Sequence, residues 1–201
     1  MGATATIVYF ELCFIQGLTG GLGILLGQAM GEGSQVKMKE SVSASWVLCL
    51  FFSAVLTAIL CPLTHSILKW MNTPADIYDR TYEYLLIIFV GTVATVLYNM
   101  ISNMLRALGD SRTPLCFLIF SSLLNIVLDL VFIVPFRMDV AGAAWATVIA
   151  QLVSAVLCIL VAGKHYDVLK VRREIWKIQI RPVKQHMRIG CLMGVQMSAM
   201  C

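Results

Sequence analysis

The fold is decided by residues 114–162, which read PLCFLIFSSLLNIVLDLVFIVPFRMDVAGAAWATVIAQLVSAVLCILVA. Two apolar runs, 114–136 and 140–162, flank the short polar segment 137–139, and Asp129 is the one charged residue within them. A transmembrane helix needs about 20 mostly apolar residues to cross a bilayer core of about 30 Å. The stretch therefore predicts two antiparallel membrane-spanning helices joined by a tight turn.

Similar apolar runs lie upstream, and charged residues make up only 13% of the chain, where soluble domains carry about 25%. Short polar segments rich in turn-forming residues separate these runs, such as Asn72-Thr73-Pro74 and ALGDSRTP at 107–114. The composition predicts an all-α polytopic membrane protein. The upstream spans cover about 3–30, 44–64 and 82–105.

After the fifth run the chain becomes strongly basic, from 164 to 188, with an amphipathic character around 168–180. We expect this segment to be a cytoplasmic linker that lies along the membrane surface. Residues 189–201 have the composition of a further span, but they are too few to cross a bilayer as a helix. The prediction is five full transmembrane helices plus the start of a sixth.

The basic residues predict the orientation of the spans. When the loops are assigned alternately to the two sides, 12 of the 15 Lys and Arg residues fall on one side. Cytoplasmic loops carry the excess of Lys and Arg, so this side, with the linker, is predicted to be cytoplasmic. The N-terminus would then lie outside, so we expect a missing upstream helix and a chain that is cut at both ends.

Other classes of protein have little support in the sequence. The seven cysteines are scattered through apolar runs without a C-x-x-C pair, and no His, Cys, Asp or Glu spacing indicates a metal site or cofactor. No nucleophile–base pair or phosphate-binding loop predicts an enzyme. The net charge of +4 is concentrated at the ends of apolar runs, which indicates a lipid bilayer as partner rather than nucleic acid.

Asp129 is the first candidate functional residue, because charges inside membrane spans are costly and mark functional sites by default. Ser122, Asn125 and Asp129 are spaced i, i+3 and i+7, which places them on one helix face. With the turn centred on Met138, Asp129 should lie level with Thr147 and Asn125 level with Gln151. A carboxyl away from water can take up and release a proton, although a purely structural carboxylate is the alternative.

Other polar residues within spans are weaker candidates. Glu11 interrupts the first run, either as a functional carboxylate or as a residue near the headgroups. Asn99 and Asn103, four residues apart, are expected to bridge helices more than to touch substrate. Arg106 is expected to anchor the end of its span or position a loop. In the first run, Gly20, Gly23 and Gly27 share one face, which favours close helix packing.

The motifs NMISNMLRALGDSRTP at 99–114, NIVLD at 125–129 and DVAGAAWATVIAQ at 139–151 together resemble the multidrug and toxic compound extrusion (MATE) family. The resemblance implies a twelve-helix fold of two lobes. This chain would supply helices two to six of the N-terminal lobe, the inter-lobe linker and the start of helix seven. It also implies a secondary antiporter that exports drugs, organic cations or other amphiphiles in exchange for protons or sodium ions.

The resemblance implies a site as well. Asn125 and Asp129 match the Asn-x-x-x-Asp pair that takes part in the ion site on the fifth helix of proton-coupled members, and Thr147 matches a threonine on the sixth. The first helix, which carries another Asp, and most of the second lobe are absent. The chain alone is therefore not expected to transport.

Two other functions stay open. A flippase for lipid-linked sugars has a related fold, but its cavity usually needs several cations to hold pyrophosphate, and Arg106 is the one basic residue near a span interior. A non-transporting membrane remnant is the second alternative.

Overall fold

The computed structural model describes residues 2–71, 73–135, 138–170 and 180–200. This part of the chain is all-helical. It forms α1 (Gly2–Gly31), α2 (Gln35–Trp70), α3 (Ala75–Val90), α4 (Thr92–Ala107), α5 (Arg112–Ile133), α6 (Asp139–His165), a 3₁₀ turn (Asp167–Leu169) and α7 (Ile180–Met200).

Four helices in the described part are long and apolar enough to cross a membrane: α1, from Thr6, and α2, α5 and α6. The pair α3 and α4 passes the same test together, with a bend of 42° between them, and makes a fifth span. The expectation of an all-α membrane protein with five spans is confirmed.

The bounds of several helices differ from the predicted ones, and α3 begins at Ala75 rather than near residue 82. The polar segment 31–41 contains a loop of three residues, because Ser34 caps α2 and accepts a hydrogen bond from the backbone N–H of Lys37 at 3.4 Å. The helix then continues past residue 64 to Trp70. Likewise, α7 begins at Ile180 rather than near residue 189. Both ends of the predicted linker at 164–188 are helical, in α6 and α7, and most of its amphipathic part at 168–180 lies outside the described residues.

The predicted single span at 82–105 is broken at Gly91. A side chain at this position would lie 2.3 Å from Cγ2 of Val148, so α6 packs directly against the backbone of the break. On α2, Oγ1 of Thr57 donates a hydrogen bond of 3.1 Å to the Phe89 carbonyl. A side chain from a neighbouring helix thus satisfies a backbone group at the bend, which is the condition for irregular backbone within a membrane.

The helices pack around α1, α4 and α6. α4 lies between the other two and also contacts α2, while α5 packs chiefly on α6 and α7 on α1. The larger core cluster lies toward the end of the bundle that holds the loop at 108–111 and the 3₁₀ turn, and the smaller one, Leu68, Leu85 and Phe89, lies toward the opposite end. Of the described residues of α5 only Pro114 is buried, and most of its large apolar side chains are exposed on the face opposite α6.

α1 and α7 make close backbone contact through glycines. A Cβ on Gly17 would lie 2.4 Å from the carbonyl oxygen of Met193, and one on Gly21 would lie 2.9 Å from Cα of Gly190. Gly23 faces Asn103 of α4, whereas nothing lies within 4 Å of a Cβ on Gly20. Of the predicted glycine face, Gly23 and Gly27 therefore lie against α4 and Gly20 makes no contact, whereas the α7 contact is made by Gly17 and Gly21.

The turn between α4 and α5 is built on Gly109 and Asp110. Gly109 has a φ of +85°, which a residue with a side chain adopts only under strain. Oδ1 of Asp110 accepts hydrogen bonds from the backbone N–H groups of Arg112 at 3.1 Å and Thr113 at 3.0 Å. Hydrogen bonds from the Thr113 side chain and from these backbone groups lower the pKa of the Asp110 carboxyl.

The α1–α7 contact gives a test with a matched control. Gly17→Ala should lower the free energy of unfolding by about 1–3 kcal/mol, because the added methyl meets backbone that cannot rotate away. Gly20→Ala adds the same methyl to the same helix in open space and should be neutral or slightly stabilising. Thermal unfolding of both variants in detergent measures the difference, and equal midpoints would contradict the described packing.

The Asp110 cap gives a pH-dependent test. Asp110→Ala should destabilise the protein by about 0.5–2 kcal/mol at neutral pH, and Asp110→Asn, which keeps the acceptor, by less. Because the folded-state pKa is lowered, the charge contributes fully above the unfolded-state value of about 3.9 and is lost as the pH falls through the folded-state pKa. Unfolding midpoints of wild type and Asp110→Asn should therefore converge on acidification, and a constant gap would exclude the charge as its cause.

Candidate functional site

α5 and α6 bring together two of the residues that the sequence marks as a site. Nδ2 of Asn125 donates a hydrogen bond to Oγ1 of Thr147 at 3.3 Å. The Thr147 hydroxyl in turn donates to the Ala143 carbonyl of its own helix at 2.9 Å. Both side chains are partly buried, so the two polar faces are turned toward each other between the helices.

The register of this pair differs by one helical turn from the predicted register. α5 ends at Ile133 and α6 begins at Asp139, so the connection is centred on residue 136 rather than on Met138. Asn125 consequently lies level with Thr147, where Gln151 was expected. Asp129 lies level with Ala143, and its expected neighbour Thr147 is one turn away.

Asp129 is half-buried, and its two oxygens differ in environment. Oδ1 is fully enclosed and has no hydrogen-bond partner among the described residues. The phenol of Tyr84 on α3 lies close enough to the carboxylate to interact with it electrostatically. A buried acceptor without a partner is rare in native proteins, so this oxygen marks Asp129 as a candidate site residue. Ser122, predicted on the same face, is exposed and donates to the Leu118 carbonyl at 3.0 Å.

Gln151 pairs with α4 instead of α5. The hydroxyl of Thr95 donates to Oε1 of Gln151 across the α4–α6 interface. Thr147 and Gln151 are four residues apart on α6, so they share a face and point toward the same side of the helix. Of these two polar residues of α6, Thr147 contacts α5 and Gln151 contacts α4.

Glu11 lies inside the helix bundle with 7% of its surface exposed. The hydroxyl of Thr92 donates a hydrogen bond to its Oε1. Thr92 is the first residue of α4 after the break at Gly91, so the carboxylate also lies at the positive end of the α4 dipole. Glu11 is thus enclosed by helices, whatever its depth in the bilayer.

These contacts form a continuous line of polar side chains through the lobe, which we call the polar seam. It crosses from α1 to α4, α6 and α5 by three hydrogen bonds, and single-turn steps along α4 and α6 connect them. It contains the carboxyl group of Glu11 at one end, and Asp129 lies one turn of α5 beyond its last member. The seam consists of Glu11, Thr92, Thr95, Gln151, Thr147 and Asn125.

The MatE family model matches residues 1–131, which is more than half of the chain. The chain belongs to the MatE family. The resemblance found in the sequence is confirmed, and the family consists of transporters rather than enzymes.

Curated MatE relatives agree with this assignment. The chain is 37% identical over 168 residues to the probable multidrug resistance protein YpnP of Bacillus subtilis, strain 168, and 29% identical over 176 residues to the probable multidrug resistance protein NorM of Thermotoga maritima. The alignments cover 82% and 85% of this chain but only 38% and 37% of those proteins. The chain thus spans less than two fifths of the length of these relatives.

Solved structures show the same fold. The chain matches an inward-facing multidrug resistance MATE family transporter of the MOP superfamily with a TM-score of 0.89 and 21% identity, covering 99% of this chain and 46% of the other. An outward-facing structure matches with a TM-score of 0.88, also at 21% identity, covering 98% and 44%. The five spans of this MatE chain and α7 are thus arranged as in part of those transporters.

The remaining predicted residues of this MatE chain do not join the seam. Nδ2 of Asn103 donates to Oγ1 of Thr19 on α1 at 3.0 Å, so Asn103 bridges two helices as expected. Asn99 donates to the Thr95 carbonyl of its own helix at 2.8 Å. Arg106 is exposed at the end of α4 and donates to Oδ1 of Asn103 at 3.4 Å.

Sequence reasoning missed Thr92 and Thr95, two members of the seam on α4. Their spacing with Asn99 is i, i+3 and i+7, the same pattern that identified the polar face of α5. That pattern was available in the sequence. Their partners were not, because both bonds join helices that are far apart along the chain.

The Glu11–Thr92 bond can be tested by its contribution to stability. Thr92→Val keeps the shape of the side chain but leaves the buried carboxyl without its donor, so it should cost about 1–3 kcal/mol. Thr92→Ser keeps the hydroxyl and should cost less. Thermal unfolding in detergent compares the two, and a valine variant as stable as the serine variant would show that the bond does not stabilise the fold.

Proposed function

We propose that this chain forms part of a secondary active transporter that exports drugs, organic cations or other amphiphiles in exchange for protons or sodium ions. The observation that carries the proposal is the enclosed, unpartnered Oδ1 of Asp129, one turn from the Asn125–Thr147 hydrogen bond, in a chain of the MatE family. In this proposal Asp129, Asn125 and Thr147 form the coupling-ion site.

The chemistry follows from the cost of charge in a membrane. Burial disfavours the charged form of a carboxyl, and a proton or a cation removes that cost. Asn125 and Thr147 supply an amide oxygen and a hydroxyl one turn away, which can stabilise one form of the carboxyl in one conformation and not in another. A ligand shifts a conformational equilibrium only through such a difference in affinity, so ion binding at Asp129 can drive alternating access.

The substrate class is supported by the distribution of charge. The seam and its end contain two carboxyl groups, and among the described residues none of the three ion pairs includes Glu11 or Asp129. Such an interior attracts cationic and amphiphilic compounds and repels anions. Arg106 is exposed at a helix end, and this arrangement favours an exporter over a flippase for lipid-linked sugars. The relatives named as multidrug resistance proteins agree with this class.

We also propose that the basic loops and the linker face the cytoplasm of a cell membrane. Lys37, Lys39, Arg106 and Arg112 flank the loops at one end of the bundle, and the positive-inside rule places such an end on the cytoplasmic side. The other lobe of the transporter would be the structural partner of this chain.

Asp129 gives the decisive transport test. The gene is expressed from its complete reading frame in a drug-hypersensitive bacterium, and efflux of a cationic dye is followed in inverted membrane vesicles. Asp129→Asn removes the ionisable group at nearly constant volume, so gradient-driven efflux should fall to the level of the empty-vector control. Ser122→Ala, an exposed position on the same helix, is the matched control and should leave efflux unchanged.

The same efflux assay under two different ion gradients identifies the coupling ion and distinguishes the exporter from the two alternative functions. A pH gradient and a sodium gradient are imposed separately, and the one that drives efflux is the coupling gradient. Full efflux by Asp129→Asn would remove Asp129 from the mechanism. If wild type does not export under either gradient, the flippase or the non-transporting remnant replaces the exporter.

A further inference from the structure

Glu11 is a buried carboxyl group that the proposed coupling site does not use. It is 7% exposed, and its polar neighbours in the described residues are the hydroxyl of Thr92 on α4 and the thiol of Cys61 on α2. In this part of the chain no Lys, Arg or His forms an ion pair with it. A buried carboxylate without a cation is costly, so the protonated form is favoured by the same surroundings that enclose it.

The position of Glu11 connects it to the bend of the fifth span. Thr92 begins α4 directly after Gly91, where α3 and α4 meet at 42°. The break is held on two sides, by Val148 of α6 against Gly91 and by Thr57 of α2 on the Phe89 carbonyl. A change at the Glu11 carboxyl therefore acts on the first residue of the helix that follows the bend.

Protonation of Glu11 can alter the seam because it can reverse the direction of the hydrogen bond between Glu11 and Thr92. The structure has Thr92 donating to Oε1 of Glu11, which is the bond an ionised carboxylate would accept. When a proton adds to one carboxylate oxygen, the new O–H becomes a donor, and Thr92 can then accept instead of donate. From Thr92 the seam continues by one turn to Thr95, which donates to Gln151, and from there to Thr147 and Asn125.

We propose that Glu11 is a second proton-binding carboxyl of the lobe, coupled through the polar seam to Asp129. The role of this coupling in export rests on the proposed function of Asp129, whereas the proton binding itself does not. A proton fits the surroundings better than a hard metal cation, which takes six or more oxygen ligands in its Ca²⁺ and Mg²⁺ sites. The side chains of Glu11 and Thr92 offer three oxygens.

Infrared titration of the purified full-length protein in detergent tests the proposal directly. A protonated carboxyl gives a C=O stretching band that its carboxylate lacks. One such band should titrate in wild type and be absent in Glu11→Gln. Asp129→Asn removes a negative charge at the far end of the seam, so the midpoint of the Glu11 band should move to lower pH, by about fivefold in proton affinity for a coupling of ordinary strength.

A variant that lacks the central hydrogen bond of the polar seam tests whether the seam transmits the coupling. Thr95→Val removes the hydroxyl that joins α4 to Gln151, and the shift caused by Asp129→Asn should then shrink. Thr81→Val is the matched control, because Thr81 donates only to the Ile77 carbonyl of its own helix and lies outside the seam. The full shift in the Thr95→Val background would overturn coupling through the seam.

Other outcomes separate this inference from the proposed function. If Glu11→Gln does not fold, Glu11→Asp is the substitute, because it keeps an ionisable group and should show the band at an altered midpoint. A band that titrates in Glu11→Asp as it does in wild type would belong to another residue and would overturn the proposal. If Asp129→Asn abolishes efflux while no band depends on Glu11, the Glu11 inference fails alone. If the Glu11 band titrates and shifts but efflux does not need Asp129, the proposed function fails alone.

Discussion

The structure depends on one constraint, which is that a polar side chain inside a membrane is costly unless it has a partner within the protein. Water cannot supply that partner in the bilayer core, and each unsatisfied group costs several kcal/mol. The three hydrogen bonds of the polar seam join four helices in pairs, α1 to α4, α4 to α6 and α6 to α5. These bonds specify which faces of four apolar helices meet, since apolar packing alone discriminates weakly between faces in lipid.

α4 has the central place in this arrangement because it provides polar partners on two sides. Thr92 donates a hydrogen bond to Glu11 of α1, and Thr95, one turn further along α4, donates to Gln151 of α6. The break at Gly91 directs the beginning of α4 toward Glu11, and the contact of Gly91 with Val148 allows no side chain at the break. The same segment thus supplies a bend, a helix N-terminus and two hydroxyls, one of which contacts the buried carboxyl group of Glu11.

Several features could be predicted from the sequence because each depends only on residues that lie close together along the chain. The apolar runs predicted the spans, because their length is set by the bilayer and not by neighbouring helices. The spacing of Asn125 and Asp129 predicted a polar face on α5, and Thr147 was expected close to it. The extent of α2 and the break at Gly91 could not be predicted, because they depend on a cap at Ser34 and on contacts of Gly91 and Phe89 with α6 and α2.

The sequence by itself determined the class of the protein, its apolar spans, its membership of the MatE family and the presence of Asp129 and Glu11 within the spans. These follow from composition, run length and motif, which need no knowledge of what lies beside each helix. Only the tertiary structure decided that Asn125 meets Thr147 and not Gln151, that Gln151 meets Thr95, and that Glu11 is enclosed against Thr92. Each of these depends on helix register and rotation, and a shift of one turn exchanges the partners without changing the hydrophobic pattern of either helix.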